Sequence, residues 1–553
     1  MSSGAERRRP VLIVFIALCL GVAVFAITEI AYNIVAERAL PGYEAVGAVS
    51  LAMDINSYYS FIHQAAEGHF FFRNNMTHEP CDAAFINVQW WAVGKGMAWF
   101  DWTPRRAFVV WRFIGSLALM LGFAFLALVT LPRTYQQLVA LVMCAFGGGF
   151  GWVLALLGSF HLVDTTNTFG LRNPAMDLIT AIHPFGQIMK NPHYSLPHGT
   201  FLALLAFFIV GERTGRTRWY VASAGVAIIQ GLFRPYDTIT ICAMVPAFIA
   251  VEYAITRKFQ LRQIVLRALP MLVSVPLLIY YFYIFSLHPV FRFWAEQGKQ
   301  PPASFFWHTS GLGLAGVFFI YRIARRKRYP FTASWERMLV VLTATILLLY
   351  HGNHLTRVLS FSPQIGIPLI PPMIIIALGM LPPLAERWRN SRIPTHVGAV
   401  AGFLIVNALS TPLFLTWNAN IGSVEARNYI RTTDLDAIAW LAKNTGPDDI
   451  VLSSEFMGSR IAYYTPVRVA MGHWALTPNV RQLRKKFERF KEGELPRDKA
   501  AEFIEEIRPR YIYVSNPDYA AKPSYFRRTT GAERVFENKD VAIYEVARDT
   551  SAG

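Results

Sequence analysis

An acid, two histidines and several aromatic residues follow the first apolar stretch of the chain, in DINSYYSFIHQAAEGH, residues 54–69. Read as a helix, this segment places Tyr58 one turn after Asp54 on a single stripe, and it is predicted to lie flat at an interface with its apolar side down. Asp54 stands at the predicted helix start, where the dipole favours an ionised carboxylate that accepts hydrogen bonds. A simple N-cap role for Asp54 is the alternative.

A second group of candidates lies in and directly after the long connection 159–197, which contains Lys190, His183 and His193 and is followed by His198. Connections of this length are usually functional or disordered, and the apolar stretch AMDLITAIHPFGQIM favours a packed or re-entrant segment. The histidine spacing matches no tight helical ligand pair, and no cysteine is close in sequence. We therefore favour hydrogen-bonding or structural histidines over a metal site.

Two arginines occur at predicted helix ends. In GLFRPYDT, Arg234 can reach lipid headgroups or form an ion pair with the nearby Asp237. In HGNHLTRVLS, Arg357 is a cation at a helix end, where its guanidinium could grip a phosphate through two parallel hydrogen bonds. Simple interfacial anchoring of Arg357 is the alternative.

The composition indicates an integral membrane protein. Of the 553 residues, 54% are hydrophobic and only 16% charged, and the mean hydropathy is +0.32. The formal net charge of +17 comes from short Lys and Arg clusters between apolar runs, a pattern typical of cytoplasmic loops and not of nucleic-acid binding. Four scattered cysteines indicate neither a disulfide framework nor a zinc site.

The apolar runs predict a polytopic α-helical membrane protein with about eleven transmembrane helices, because a span needs roughly 20 apolar residues. The basic clusters, from ERRRP before the first run to ERWRNSR before the last, fall in alternate loops, so the N-terminus is predicted to be cytoplasmic. The first run is predicted to remain as an anchor. The predicted spans are 11–33, 107–131, 136–158, 196–211, 219–233, 236–256, 265–286, 308–323, 337–351, 366–382 and 395–416.

This topology divides the chain into a transmembrane domain, 1–418, and a small α/β domain, 419–553, outside the cytoplasm. The long loops 34–106 and 159–197, Arg234 and Arg357 are all assigned to the outer side. After Trp417 an amphipathic helix in DLDAIAWLAKNTG and strands in DIVLSS, RYIYVS and VAIYEV are predicted. Alternating helices and strands are typical of an α/β fold.

Taken together, these stretches resemble the GT-C (C-fold) glycosyltransferases, polytopic enzymes that take a sugar from a polyprenyl-phosphate carrier, and more closely a group of uncharacterised bacterial members. The resemblance covers most of the chain in order, and it is more specific for architecture than for substrate. The segments that carry it are DINSYYSFIHQAAEGHFFFRNNMTHEP, NPHYSLPHGTFLALLAFF, GLFRPYDT, LTRVLSFSPQIGIPL and SEFMGSRIAYYTPVRVAMGHWALT.

The resemblance implies that an acid in the first outer loop acts on the acceptor and that cations hold the lipid phosphate. Asp54 matches the acid, Arg357 is the stronger candidate cation and Arg234 the weaker. The remaining predicted substrate or lipid-phosphate contacts are Lys190, His183, His193, His198 and Tyr58. Many relatives have two adjacent acids, whereas Ile55 follows Asp54 here, so no cofactor is expected and a divalent metal is not favoured. Nearby alternatives to Asp54 are Glu67, Glu79 and Asp82.

The implied function is transfer of a sugar from a polyprenyl-phosphate donor, with inversion, to a glycan, lipid or protein acceptor outside the cytoplasm. Membrane lipids are the other expected partners, nucleic acid is not, and the bacterial inner membrane is the expected location. A lipid or polysaccharide transporter and a non-catalytic assembly protein are the alternatives.

Two aromatic groups have alternative interpretations. The tryptophans of NVQWWAVGKGMAWFDW, Trp90, Trp91, Trp99 and Trp102, are assigned to an interfacial belt or to stacking on substrate. His473 and Trp474 are assigned to a packed turn or to contact with a sugar.

Overall fold

The computed structural model describes most of the chain. The described residues are 4–49, 52–160, 182–299, 304–328, 330–356, 359, 364–379, 402–516 and 523–547. Predicted site residue Arg357 and the middle of the connection 159–197 lie outside them.

Helices dominate the described residues, and they are numbered here in chain order. Their bounds are α1 Gly4–Glu37, α2 Ala52–Ala66, α3 Val88–Phe100, α4 Pro104–Thr130, α5 Thr134–Phe146, α6 Gly151–Ser159, α7 Pro184–Lys190, α8 Pro192–Thr214, α9 Thr217–Phe233, α10 Pro235–Thr256, α11 Leu261–Phe282, α12 Phe291–Gln297, α13 Phe305–Gly311, α14 Gly313–Ala324, α15 Ser334–Thr356, α16 Ile370–Leu378, α17 Ser410–Val424, α18 Thr432–Asn444, α19 Glu455–Tyr464, α20 Val480–Lys491, α21 Arg497–Ile507 and α22 Pro523–Thr530. A π-helical turn, Tyr283–Leu287, extends α11, a 3-10 turn, Ile367–Leu369, leads into α16, and residues 402–408 are also helical.

The chain is an integral membrane protein with at least part of the predicted helical bundle. Among the described residues, six helices are long and apolar enough to cross a membrane, or up to seven if the bent pair α5 and α6 is one span. Helix α9 has 17 residues and α14 has 12, so each is shorter than the length that spans a bilayer unaided. The total of eleven spans remains a prediction.

The chain folds into two compact units, and neither is one continuous stretch. The first comprises residues 1–31, 109–281 and 299–420, and the second comprises 32–108, 282–298 and 421–553. The predicted division near residue 419 lies beside the last of these boundaries. The second unit, however, also takes in the segment after the first helix and the segment after α11.

In the first unit, α4 and α8 cross in direct backbone contact. A Cβ atom on Gly122 would lie 2.1 Å from the carbonyl oxygen of Gly199, and one on Gly115 would lie 2.3 Å from Oγ of Ser195. Glycine therefore lets the two backbones approach closely, as small residues do at helix interfaces in membranes.

Ion pairs join four other helix ends of the first unit, those of α8, α10, α11 and α15. Glu212, near the end of α8, accepts hydrogen bonds from Nε and Nη2 of Arg267 at 2.8 and 2.6 Å. Glu252, near the end of α10, lies 3.5 Å from Arg267 and also binds Arg337 of α15. Charges at helix ends are less costly when they are paired in this way.

The second unit contains a mixed sheet, as the sequence of its last part predicts. Its strands are β3 (Ile450–Leu452), β4 (Arg468–Val469), β5 (Tyr511–Ser515), β6 (Glu533–Glu537) and β7 (Val541–Glu545), in the order β4-β3-β5-β7-β6. Strand β3 runs parallel to β4 and β5, whereas β7 is antiparallel to β5 and β6. The apolar runs of β3, β5 and β7 are buried, which explains why the sequence pattern revealed them.

A short antiparallel pair links distant parts of the second unit. Strand β1 (Tyr43–Ala45) pairs with β2 (Tyr429–Arg431), so the chain just after α1 is joined to the chain just before α18. Neither strand was predicted, because three residues are too few to show a periodic pattern.

Helix α2 is buried on nearly all sides. The side chains from Ile55 to Ile62 are buried without interruption, and the helix packs against α3 and α19 within the second unit. The prediction of a helix lying at an interface with one apolar side is therefore wrong. A helix with apolar residues all round belongs in a core, and the polar Asn56, Ser57 and Ser60 are accommodated there by hydrogen bonds.

Candidate functional site

Asp54 lies in the first turn of α2, which begins at Ala52. It is the third residue of the helix, so the alternative of an N-cap role is wrong. The position still favours a negative charge because backbone N–H groups at a helix start carry partial positive charge. The side chain is left free to bind a partner from elsewhere in the second unit.

That partner is His473, 419 positions away in sequence. Its Nε2 lies 3.0 Å from Oδ1 of Asp54, and its Nδ1 accepts a hydrogen bond from the backbone N–H of Ala475 at 3.2 Å. Because Nδ1 is an acceptor, the proton of the neutral ring is on Nε2, which donates to the carboxylate. The imidazole orients Asp54 and does not compete with it as a base.

The turn that holds His473 is fixed by Thr477. Its Oγ1 accepts hydrogen bonds from the backbone N–H groups of Gly472 and His473 at 3.1 and 3.3 Å, and it donates to the carbonyl of Met76 at 2.6 Å. A Cβ atom on Gly472 would lie 2.3 Å from Sδ of Met76. A side chain at 472 would displace the Met76 side chain, so glycine allows the close contact between the turn and the loop.

Further hydrogen bonds join this turn to two other parts of the second unit. The side chain of Asn74 donates to the carbonyl of Leu476 at 2.7 Å, and Gln297, at the end of α12, donates to the carbonyl of Thr477 at 3.1 Å. His473 therefore lies in a packed turn that also reaches Asp54, whereas packing of the Trp474 indole remains a prediction.

The two members of the pair differ in exposure. The side chain of Asp54 is 31% exposed and that of His473 only 6%. One carboxylate oxygen is thus held from within the protein while the carboxylate remains accessible. An oriented, accessible carboxylate can accept a proton from a bound hydroxyl group.

Tyr58 lies in the aromatic core of the second unit. Its ring stacks on Trp90 at 4.8 Å between centroids, and Trp90 stacks in turn on Phe61 at 5.1 Å. This packing role differs from the substrate contact expected of Tyr58, which remains a prediction. Trp90 is buried, so it does not belong to an interfacial belt, whereas Trp99 is 74% exposed.

The alternative acids occupy other surroundings. Glu67 and Asp82 are exposed, and Glu79 lies 4.0 Å from Nε2 of His78. No group of three or more His, Cys, Asp or Glu side chains within the described residues could hold a metal ion. Asp54 is the acid with an oriented carboxylate beside a histidine, so we retain it as the candidate.

In the first unit, Arg234 and Asp237 form a buried ion pair between α9 and α10. Nη1 of Arg234 lies 2.9 and 3.2 Å from the two carboxylate oxygens. The side-chain amide of Gln230 donates to Oδ2 of Asp237 at 2.5 Å, and Nη2 of Arg234 binds Gln364. The ion-pair alternative for Arg234 is therefore confirmed.

The same network extends to α8. Gln364 donates to the hydroxyl of Tyr194 at 3.1 Å, and the hydroxyl of Thr200 donates to Gln230. Helices α8 and α10 both begin in this region, each with proline in its first turn. Backbone N–H groups at the two helix starts provide partial positive charge beside the guanidinium.

The predicted residues of the connection 159–197 that the structure describes are packed within the first unit. All seven residues of α7 are buried, which confirms a packed segment over that range. Nε2 of His183 donates to the carbonyl of Gly311 at 2.7 Å, and Nζ of Lys190 lies 5.3 Å from the ring centroid of Phe414. Lys190 is at the C-terminal end of α7, where the helix dipole stabilises a cation.

The histidines of α8 are in different settings. Nδ1 of His198 donates to the side-chain carbonyl of Gln187 at 2.7 Å, and the backbone N–H of His193 is capped by Asn191 at 3.0 Å. Four buried polar atoms near this end of α8 have no hydrogen-bond partner among the described residues: Nδ2 of Asn191, Oγ of Ser195, Nε2 of His198 and Nε of Arg234. Unsatisfied polar atoms in a buried cluster are typical of a site completed by a ligand or water.

Sequence reasoning missed the partners of the candidate residues. Gln187, Tyr194, Gln230 and Gln364 surround the predicted cations, yet each looks unremarkable in sequence. Buried glutamines within apolar helices, such as Gln230 in AIIQGLF, are the signal that could have revealed them, because a polar side chain there requires a partner.

Comparison with known proteins identifies the fold. No protein-family model matches the sequence, and no curated protein matches it. The structure of ArnT from Cupriavidus metallidurans bound to undecaprenyl phosphate matches with a TM-score of 0.52 and 14% identity, over 99% of both chains. The archaeal oligosaccharyltransferase AglB from Archaeoglobus fulgidus, in complex with an inhibitory peptide and a dolichol-phosphate, matches with a TM-score of 0.53 and 11% identity, over 96% of this chain and 75% of that one.

The apo form of the same oligosaccharyltransferase matches with a TM-score of 0.55 and 12% identity, over 99% of this chain and 76% of that one. ArnT and AglB are both GT-C fold glycosyltransferases. This chain therefore has the GT-C fold, as the resemblance in its sequence implied. At these identities the comparison shows the fold alone, and function is argued from the site.

Proposed function

We propose that this protein is a membrane glycosyltransferase that moves a sugar from a polyprenyl-phosphate carrier to a hydroxyl group of an acceptor. The observation that carries the proposal is the accessible Asp54 carboxylate held by His473 in a chain with the GT-C fold. Undecaprenyl phosphate in the ArnT structure and dolichol-phosphate in the AglB structure support a polyprenyl carrier as donor.

In the proposed reaction, the acceptor oxygen forms a bond to the anomeric carbon as the bond from that carbon to the phosphate oxygen breaks. Asp54 takes the proton of the acceptor hydroxyl, and polyprenyl phosphate leaves with the electron pair. Attack from the face opposite the leaving group inverts the anomeric centre. A positioned base of this kind contributes about 10²-fold or more to the rate.

His473 is a positioning residue in this proposal. Its Nε2–H donates to one carboxylate oxygen, which fixes the rotation of the Asp54 side chain and leaves the accessible part of the group for the acceptor. A base must be held within hydrogen-bond distance of the proton it removes, so loss of this orientation should slow the chemical step more than it weakens binding.

The leaving phosphate needs positive charge and hydrogen-bond donors. We propose that the polar cluster of the first unit supplies them through Arg234, together with Lys190 and the starts of α8 and α10. Nε of Arg234 has no partner among the described residues, which leaves one guanidinium donor for an anion. The predicted contributions of Arg357, His183, His193 and His198 are part of the same proposal.

Replacement of Asp54 by Asn tests the central step. The amide keeps the size of the side chain but cannot act as a base, so turnover of a polyprenyl-phosphate sugar should fall about a hundredfold or more while lipid binding is retained. Asp82→Asn tests the exposed alternative acid, and Asp498→Asn, on the exposed face of α21, is the matched control; both should keep wild-type turnover. Unchanged turnover in Asp54→Asn eliminates the proposed base.

We propose a bacterial inner-membrane location, with the N-terminus in the cytoplasm and residues 421–553 outside it. A cysteine introduced at the exposed Lys499 should react with a membrane-impermeant maleimide added to intact cells, whereas one at Arg326 should react only after lysis. Reaction of the Arg326 site in intact cells would reverse the orientation.

A further inference from the structure

Helix α20 has a basic exposed face that the proposed reaction does not use. Its buried side consists of Leu483, Phe487 and Phe490, which belong to the core beneath the sheet. On the exposed side, Arg481, Lys485 and Arg489 recur at every fourth position. Residues four apart are neighbours on one face, so these three cations form a single row about 12 Å long, at roughly 1.5 Å per residue. We call them the basic row.

Neighbouring cations of α20 have acidic partners, but the basic row does not. Arg484 pairs with Glu455, Lys486 lies 2.7 Å from Glu506, and Lys491 lies 2.5 Å from Glu488. Within the described part of the chain, no carboxylate lies within 4.0 Å of a basic-row cation. The cations of α20 thus fall into two groups. Arg484, Lys486 and Lys491 form ion pairs, whereas the basic row forms none within the described residues.

The basic row is unfavourable for the isolated helix. Like charges four residues apart destabilise a helix by about 0.2–0.5 kcal/mol per pair, and the row contains two such pairs. Among the described residues, no carboxylate forms a close ion pair that would offset this repulsion. Regularly spaced, exposed and unpaired cations of this kind create a field that attracts a chain with repeated negative charge.

We propose that the basic row binds a polyanionic glycan, a sugar chain with carboxylate, sulfate or phosphate groups. Charge complementarity favours an anionic occupant, and the polar character of the exposed side of α20 favours a hydrated chain over a bilayer. A helix that inserts at a membrane surface exposes an apolar side, whereas the apolar side of α20 is buried in the core. Among its described residues, no large apolar side chain is exposed.

In sequence, the basic row begins a few residues after the turn that contacts Asp54. Arg481 follows Thr477, which fixes the His473 turn, by four residues, and Arg484 anchors the helix to Glu455 at the start of α19. The row is thus on an element that the second unit holds rigidly. Glycan binding does not depend on the transfer reaction, so the two proposals can fail separately.

The test uses the full-length protein in detergent, with dextran sulfate as the probe and neutral dextran of equal length as its control. Wild type should bind dextran sulfate and not neutral dextran. The triple variant Arg481→Gln, Lys485→Gln and Arg489→Gln should bind at least tenfold more weakly. The slope of log Kd against log salt should fall by about two, because fewer counterions are released.

A second triple variant controls for net charge. Arg497→Gln, Arg528→Gln and Lys539→Gln remove the same three charges from other exposed positions of the second unit, and the affinity should change less than twofold. Asp54→Asn should bind dextran sulfate as wild type does, whatever its turnover. The control variant should keep the wild-type melting temperature, and the basic-row variant should keep it or raise it slightly, because two like-charge repulsions are removed.

Three outcomes would overturn the proposal. Equal weakening by the two triple variants would mean a general charge effect. Binding of neutral dextran as tight as that of dextran sulfate would mean recognition without charge. Binding of short-chain phosphatidylglycerol that only the basic-row variant loses, while that variant binds dextran sulfate as wild type does, would assign the row to lipid headgroups.

Discussion

Nε2 of His473 donates a hydrogen bond to Oδ1 of Asp54 over 3.0 Å, and this contact joins the first turn of α2 to the turn after β4. The imidazole of His473 is buried and the carboxylate of Asp54 is accessible. The histidine can therefore orient the carboxylate from within the protein while the carboxylate stays open to a bound molecule. A histidine in this arrangement acts on substrate only through the carboxylate.

Replacement of His473 should therefore affect turnover more than binding. In His473→Leu the donor is lost, and kcat should fall at least tenfold while KM changes less than threefold. In His473→Gln the side-chain amide can donate from nearly the same place as Nε2, so most of kcat should return. Steady-state kinetics with a polyprenyl-phosphate sugar provides the measurement. If kcat of His473→Gln is no higher than that of His473→Leu, the hydrogen bond to Asp54 is not required for turnover.

Removal of only one charge from the buried pair of Arg234 and Asp237 should strongly lower the stability of the protein. Asp237→Leu leaves an unpaired guanidinium and should lower the free energy of unfolding by about 3–5 kcal/mol. The double variant Arg234→Met with Asp237→Leu removes both charges and should regain most of that loss. Thermal unfolding of the purified protein measures both effects.

The same double variant tests the proposed phosphate site without a folding defect. It should bind undecaprenyl phosphate at least tenfold more weakly than wild type. Wild-type affinity in a folded double variant would show that Arg234 has only a structural role.

The close approach of α4 and α8 should make Gly122 intolerant of any side chain. Gly122→Ala forces the two backbones apart and should lower stability by about 1–3 kcal/mol. Gly225, in α9, has open space where a Cβ would lie, so Gly225→Ala should be neutral or stabilising by up to about 1 kcal/mol. Thermal denaturation of the two variants side by side is the measurement, and equal destabilisation would refute the contact.

Low pH should reduce the stability of the second unit because His63 becomes protonated. Its Nε2 donates to the carbonyl of Tyr463 at 2.9 Å, and burial lowers the pKa of His63 below its ordinary value near 6.5. The unfolded chain therefore binds the proton more readily, so stability is complete above about pH 6.5 and is lost as the pH falls towards the folded pKa. His63→Gln should flatten this slope in melting temperature, whereas His69→Gln, at an exposed position, should retain it.

The sequence predicted elements with a strong pattern and missed those without one. The buried strands β3, β5 and β7 and the helix α18 were all indicated by apolar runs or helical periodicity. Strands β1, β2 and β4 are short and lack the apolar run that marks β3, and β6 is mostly exposed, so none of them shows a readable pattern. Helix α2 was recognised as a helix, but its burial depends on α3 and α19, which only tertiary structure reveals.

The candidate site was predictable in the same uneven way. Asp54 follows from its place after the first apolar helix, and the ion pair of Arg234 with Asp237 follows from their spacing. The contact of Asp54 with His473 does not, because the two residues are 419 positions apart and no local pattern relates them. Contacts of this range are set by the assembled fold.

Because the unit that contains Asp54 takes its last segment from residue 421 onward, the carboxylate is made early in translation and its histidine very late. A ribosome must synthesise most of the 553 residues before the two can meet. Truncated or stalled copies would retain the apolar helices but would lack the hydrogen bond that orients Asp54.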